Sequence, residues 1–139
     1  MRIKPISDNF IMPTKGSNDA GAIDLYMPEA GSVDGTEKKF PLGFAAAIPK
    51  GYVGLLLPRS GTGAKHGLEL NNTCGVIDAD YRGEWIAVMR TKSGKEFSWQ
   101  KGERVLQCVL VPVLSPTLEQ VEDLDATERG EGGFGSSGK

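Results

Sequence analysis

Apolar residues in this chain come in short blocks, each closed by glycine, proline, asparagine or aspartate. Ala22 to Met27, Phe40 to Ile48, Tyr52 to Leu57, Trp85 to Thr91 and Val105 to Leu114 read as strands on that pattern. No repeat of fixed period runs through the sequence, and many short strands with frequent breaks predict an all-β sandwich or barrel. Leu118, Val121 and Leu124 have helical spacing, but Pro116 and the acidic run from Glu119 to Asp125 leave a short helix and an exposed strand equally open. Two of the strands are apolar nearly throughout: Tyr52 to Leu57, and Val105 to Val113. A strand with one wet face should alternate, so these predict burial on both faces, through either a homo-oligomer or a well-filled sandwich core.

Composition narrows the class. A chain of 139 residues makes one ordinary domain with a real core. With 16 Lys and Arg against 18 Asp and Glu, the net charge of -2 lacks the basic excess of a generic nucleic-acid binder. Polyanions would have to be held locally. No apolar run reaches the roughly 18 residues of a membrane helix, and Lys4, Pro5 and Asp8 stand where a signal peptide would be apolar, so a cytoplasmic protein with no nucleic-acid or membrane partner is expected. Cys74 and Cys108 have no CxxC or Cys/His cluster beside them, which argues for a reduced compartment and against structural zinc.

Three segments carry chemistry. Pro58-Arg59-Ser60-Gly61-Thr62-Gly63-Ala64-Lys65 follows directly on an apolar strand. Its glycines and serine can turn successive N–H groups toward an anion, with Arg59 as a forked donor and Lys65 as a point charge. It is not a Walker A loop, and locally a phosphate cradle and a plain connector are both open. Next, Gly75-Val76-Ile77-Asp78-Ala79-Asp80-Tyr81-Arg82-Gly83-Glu84-Trp85 reads as a strand, a turn and a returning strand, that is, a hairpin. Asp78 and Asp80 are two apart, so an extended backbone would aim both to one side. Such a pair suits proton removal from water or attraction of a divalent cation, the alternative being a solvated turn. Tyr81 adds a flat face suited to a sugar or a base. Finally, Arg129 to Gly138 sets one arginine, Phe134 and two serines among glycines. That is the equipment of a mobile phosphate-clasping lid, and Phe134 distinguishes it from an idle disordered end.

Taken in order, these segments and two more resemble trimeric dUTPase. Ala20-Gly21-Ala22-Ile23-Asp24-Leu25 is similar to the family's first block, Pro58 to Gly61 with Lys65 and Gly67 to the second, Gly75 to Glu84 to the third, Gly102-Glu103-Arg104-Val105-Leu106-Gln107 to the fourth, and Arg129 to Gly138 to the fifth. The resemblance implies a jelly-roll-like β-barrel of the β-clip type over residues 1–126, a flexible lid over 127–139, and a homotrimer whose sites each draw on all three subunits. It also implies Mg2+-dependent hydrolysis of dUTP to dUMP and pyrophosphate, which keeps uracil out of DNA and supplies dUMP for thymidylate synthesis.

In family terms Asp78 is the general base, with Asp24 a second catalytic carboxylate that organises the site and metal-bound water. Tyr81 packs on the deoxyribose; Asn72, Gly75 and Val76 lie in the uracil slot; Phe134 stacks on the base. Arg59, Ser60, Gly61, Gln107, Arg129, Ser136 and Ser137 hold the phosphates, and Gly135 is a further substrate-binding residue. No side chain is implied as a direct metal ligand, since Mg2+ sits mainly on substrate phosphates and water, with Asp24 reaching it through water. His66 is read as a structural or ligand-shell residue, and Cys74 as giving the uracil slot only backbone and bulk. Gly61-Thr62-Gly63-Ala64 and Leu106-Gln107-Cys108 depart from the family's commoner pattern. Two alternatives stand beside this reading: a dCTP deaminase of the same fold, which Asp78 and Gly75-Val76 disfavour, and a dUTP-sensing regulatory binder.

Overall fold

The computed structural model describes residues 1–133. Its strands in chain order are β1 (Arg2–Pro5), β2 (Thr14–Lys15), β3 (Ala22–Tyr26), β4 (Gly31–Val33), β5 (Lys38–Ala47), β6 (Tyr52–Pro58), β7 (Leu68–Leu70), β8 (Gly75–Ile77), β9 (Glu84–Thr91), β10 (Phe97–Trp99) and β11 (Arg104–Pro112), with one short helix, α1 (Ser60–His66), between β6 and β7. The five apolar blocks are all strands, with ends within two residues of the sequence pattern. The remaining strands are short and mostly polar. β1 is one because its backbone pairs with Phe44 to Ala47, a partner that local pattern cannot reveal.

The strands form a four-stranded sheet (β1-β5-β9-β7), a five-stranded sheet (β2-β3-β11-β6-β8) and a two-stranded ladder (β10-β4). The ladders stay separate, so the β-clip is jelly-roll-like in class without closing into one hydrogen-bonded cylinder. Strand β9 alternates, sending Trp85, Ala87, Met89 and Thr91 inward. The first three meet Leu56 from β6 and Leu106 and Cys108 from β11 in one buried cluster with Phe44 and Trp99. Strand β5 carries Pro41 and Gly43 at a register shift, where the ladder is interrupted and Gly43 sits at φ +76°.

The two apolar strands behave differently on their two faces. Leu56 and Cys108 are buried, whereas Val53, Leu55, Leu57, Val109 and Val111 on the other side are only half-buried within one chain. After Pro112 no helix or strand follows among the described residues, and Leu114, Leu118 and Leu124 are exposed.

Two local readings change. The segment after Pro58, left open as a phosphate cradle or a plain connector, is a short helix. Gly61 and Gly63 depress its intrinsic propensity, but the Thr62 hydroxyl lies 2.9 Å from both the Arg59 and the Val105 carbonyls and ties the first turn to β11. The predicted Gly75 to Trp85 hairpin is also not one. Strand β8 pairs with β6 and β9 pairs with β5 and β7, so the segment from Asp78 to Gly83 crosses between sheets.

Candidate active site

Strand register builds the first cluster. Gln107 on β11 lies between Asp24 on β3 and Leu57 on β6, next to the point where β6 gives way to α1. Asp24 is 7% exposed, a position a carboxylate holds only with partners. It has two: Arg59 Nε reaches one oxygen at 2.8 Å and Arg104 Nη1 the other at 3.1 Å. Arg59 Nη1 also donates to the Arg104 carbonyl at 3.3 Å, and Gln107 Nε2 donates to the Pro58 carbonyl at 3.1 Å. The outcome is a fixed pair of guanidinium groups at the start of α1, beside exposed Ser60 and Gly61. The Ser60, Gly61 and Thr62 amides have no acceptor inside the helix, as in any first turn. Forked cations held in this way suit phosphate oxygens.

A cavity of about 260 Å³ forms the second cluster. Asn72, Gly75, Val76, Asp78 and Tyr81 line it, with Leu56, Leu70 and Val88 behind. A tight turn at Asn71-Asn72 shapes one wall: Leu70 and Thr73 bridge across it, and Thr73 is held at φ +66°, unusual for a β-branched residue. Gly75 packs so closely that an added Cβ would lie 3.0 Å from that of Leu56, which keeps the slot floor flat. Asp78 is exposed at the mouth. Because β8 ends at Ile77, Asp78 and Asp80 do not share a strand face. Asp78 faces both this slot and an adjoining groove near Tyr52, and Asp80 faces the groove alone.

Tyr81 is held by its own loop. Its amide donates to the Asp78 carbonyl at 3.2 Å and its hydroxyl to the Glu84 carbonyl at 3.1 Å. Arg82 Nη1 donates to the carbonyls of Ala79 and Tyr81 at 2.7 and 2.9 Å, closing the turn from beneath.

Within one chain the two clusters lie apart. Ile77 sits opposite Gly54 near one end of β6, whereas Arg59 follows its other end. Five residues of extended strand separate those points by about 17 Å. Asp78 therefore does not reach the Arg59 cluster of its own chain.

The tail contributes one described site residue. Arg129 is exposed and its Nε donates to the Gly132 carbonyl at 2.8 Å. Phe134, Gly135, Ser136 and Ser137 lie outside the described residues. His66 stacks on Phe97 with ring centroids 4.5 Å apart, which gives it a packing role at the end of α1. Sequence reasoning quoted Arg104 and Glu84 inside motif blocks but gave them no task. Only the fold reveals that one shares Asp24 and the other holds Tyr81.

The dUTPase family model matches residues 8–138. The chain belongs to the dUTPase family. It is 41% identical over 141 residues to the deoxyuridine 5′-triphosphate nucleotidohydrolase of Syntrophotalea carbinolica, an alignment covering 99% of this chain and 96% of that protein. The enzyme of the same name from Candida albicans is 42% identical over 131 residues, covering 92% and 81%. Among solved structures, a point mutant of the Staphylococcus bacteriophage 80alpha dUTPase with dUpNHpp superimposes with a TM-score of 0.88 at 29% identity, covering 99% of this chain and 98% of that one. A phage phi11 dUTPase mutant, described with a structural Mg(II) ion, gives 0.78 at 25% identity over 88% and 96%.

Proposed function

We propose that this dUTPase hydrolyses dUTP to dUMP and pyrophosphate as a homotrimer whose sites are shared between subunits. The separation along β6 carries the reading: the slot with its carboxylate and the guanidinium pair are both built for one nucleotide triphosphate, yet about 17 Å of strand divides them in a single chain. A neighbour's Arg59, Ser60, Gly61 and Gln107 resolve the conflict. The half-buried row Val53, Leu55, Leu57, Val109 and Val111 supplies apolar surface for the contact.

In this mechanism Asn72 and the backbone from Thr73 to Val76 read the uracil edge, and the flat floor at Gly75 keeps the slot narrow. Tyr81 lies against the deoxyribose, where a 2′-hydroxyl would collide. Asp78 takes a proton from the water that attacks the α-phosphorus, and the pyrophosphate leaves in line. Arg59 and Gln107 hold the phosphates, while Arg129, Phe134, Gly135, Ser136 and Ser137 cover them from the tail. Asp24 keeps Arg59 and Arg104 in place.

Mg2+ bound to the triphosphate would supply charge neutralisation and alignment of the phosphates. Among the described residues no three His, Cys, Asp or Glu side chains converge, and both Asp24 oxygens already face guanidinium groups, so the donor set suits a metal carried by the substrate. Asp24 would meet it only through water.

Mixing two inactive variants tests the shared site. Asp78→Asn and Arg59→Ala are each expected to be inert; dissociated and reassembled together, they should recover about a quarter of parent activity, since random trimers place intact Asp78 and Arg59 together in that share of sites. No recovery, with mixed trimers verified by mass, overturns the shared site. Ammonia release from dCTP by the parent would favour the deaminase reading, and tight dUTP binding without pyrophosphate release the sensor reading.

A further inference from the structure

Glu84 belongs to neither cluster by charge, yet it stands where three parts of the fold meet. It opens β9, and its carboxylate accepts the Gly43 amide at 3.0 Å. Gly43 sits in the β5 bulge at φ +76°, where an added Cβ would lie 3.0 Å from that of Ser7. The Gly43 carbonyl in turn accepts the amides of Ile6 and Ser7 at 2.8 and 3.1 Å. On its other side the Glu84 main-chain carbonyl accepts the Tyr81 hydroxyl. Glu84 also lines both the slot and a small apolar cavity formed by Met27, Pro28, Phe40 and Pro41.

We propose that Glu84 is a positioning residue that sets the discrimination between deoxyribose and ribose by fixing the Tyr81 ring. Without its carboxylate the Gly43 amide loses its acceptor, the start of β9 is freed from the bulge, and the carbonyl that anchors the Tyr81 hydroxyl moves with it. Gly83 shows how little room the ring has: a Cβ there would lie 2.4 Å from the Tyr81 hydroxyl and 2.6 Å from the ring carbon that bears it. The ring is thus held at its hydroxyl end, by close approach to Gly83 and by the bond to Glu84. The proposal rests on the assignment of Tyr81 to the sugar.

Two measurements on the full chain test it. The first is the ratio of kcat/KM for dUTP to that for UTP. Glu84→Ala is expected to lower the ratio at least about tenfold, chiefly by admitting UTP, and Glu84→Gln to restore most of it because an amide oxygen still accepts from Gly43. Gly83→Ala, which displaces the ring directly, should lower it in the same sense. The second is fluorine NMR of the chain labelled with 3-fluorotyrosine, the Tyr81 line being assigned with Tyr81→Phe. A single parental line should broaden or split in Glu84→Ala and return in Glu84→Gln. If the two substrates lose rate equally in Glu84→Ala while the Tyr81 line is unchanged, Glu84 does not position the ring. If the parent shows no preference for dUTP but the line responds, the role of Tyr81 at the sugar fails and the link from Glu84 to Tyr81 stands.

Discussion

The Asp24 corner and the Asp78 slot use the same residue type in opposite settings. Asp24 lies inside a strand, nearly buried, with both oxygens engaged by arginines, so its position follows from the register of three strands. Asp78 lies one residue beyond a three-residue strand, exposed on a connection that crosses between sheets. The buried carboxylate serves as a scaffold because its charge is already spent on partners. The exposed one faces open space and is available to react. On the proposed function, structure and chemistry are divided between these two aspartates, and substitutions should separate them.

The largest effect is expected at the slot. Asp78→Asn should lower kcat by about 10²–10⁴-fold, the usual worth of a positioned general base, while Tm stays near that of the parent and a non-hydrolysable dUTP analogue still binds. Pyrophosphate release, calorimetry and thermal melting check the three together. Loss of binding along with turnover would make Asp78 part of the frame and erase the contrast.

The corner should fail differently. Asp24→Ala leaves two guanidinium groups side by side without their shared acceptor. Because Arg59 and Arg104 are 34% and 45% exposed, water screens much of the repulsion, and the cost is expected at about 1–2 kcal/mol with a Tm lower by several degrees. Freed from its clamp, Arg59 no longer meets phosphate in one geometry, so kcat/KM should fall about 10–100-fold. Arg104→Ala should reproduce the activity loss in weaker form, because Arg59 keeps its bond to Asp24. A variant of Asp24 that melts like the parent would refute the scaffold role.

The same contrast explains what could be read from the sequence. The central strands were legible because long apolar blocks such as Phe40 to Ile48 have few other ways to be buried. Asp78 and Tyr81 were singled out through motif resemblance, which needs no fold. Strands such as Thr14–Lys15 and Gly31–Val33 carry no apolar signal and exist only through their partners. Arg104 was invisible as a site residue because its task depends on β11 lying beside β3, a contact that spans 80 positions in sequence. The hairpin expectation failed for a related reason: Asp-Ala-Asp-Tyr-Arg-Gly has turn chemistry, but the two strands it joins find better partners in different sheets.

Each region also contains one free thiol, which gives the finest probe of the comparison. Cys74 precedes the slot strand and is half-buried, whereas Cys108 follows Gln107 and is fully buried. At pH 8 iodoacetamide is expected to label Cys74 in the folded chain and leave Cys108 untouched; equal labelling would show that the floor of the corner opens. Burial, with a smaller contribution from nearby Cys74, pushes the Cys108 thiol up from 9.0 to about 11. The folded chain keeps this proton where the unfolded chain has lost it, so the contribution to stability is intact below pH 9 and drains away as pH rises toward 11. The unfolding free energy from urea titrations should therefore fall across that window by up to about 1 kcal/mol per pH unit in the parent and less steeply in Cys108→Ala, with the two slopes alike at neutral pH. Identical slopes above pH 9 would mean that water already reaches the strand beneath Gln107, and the corner would then be no more rigid than the slot.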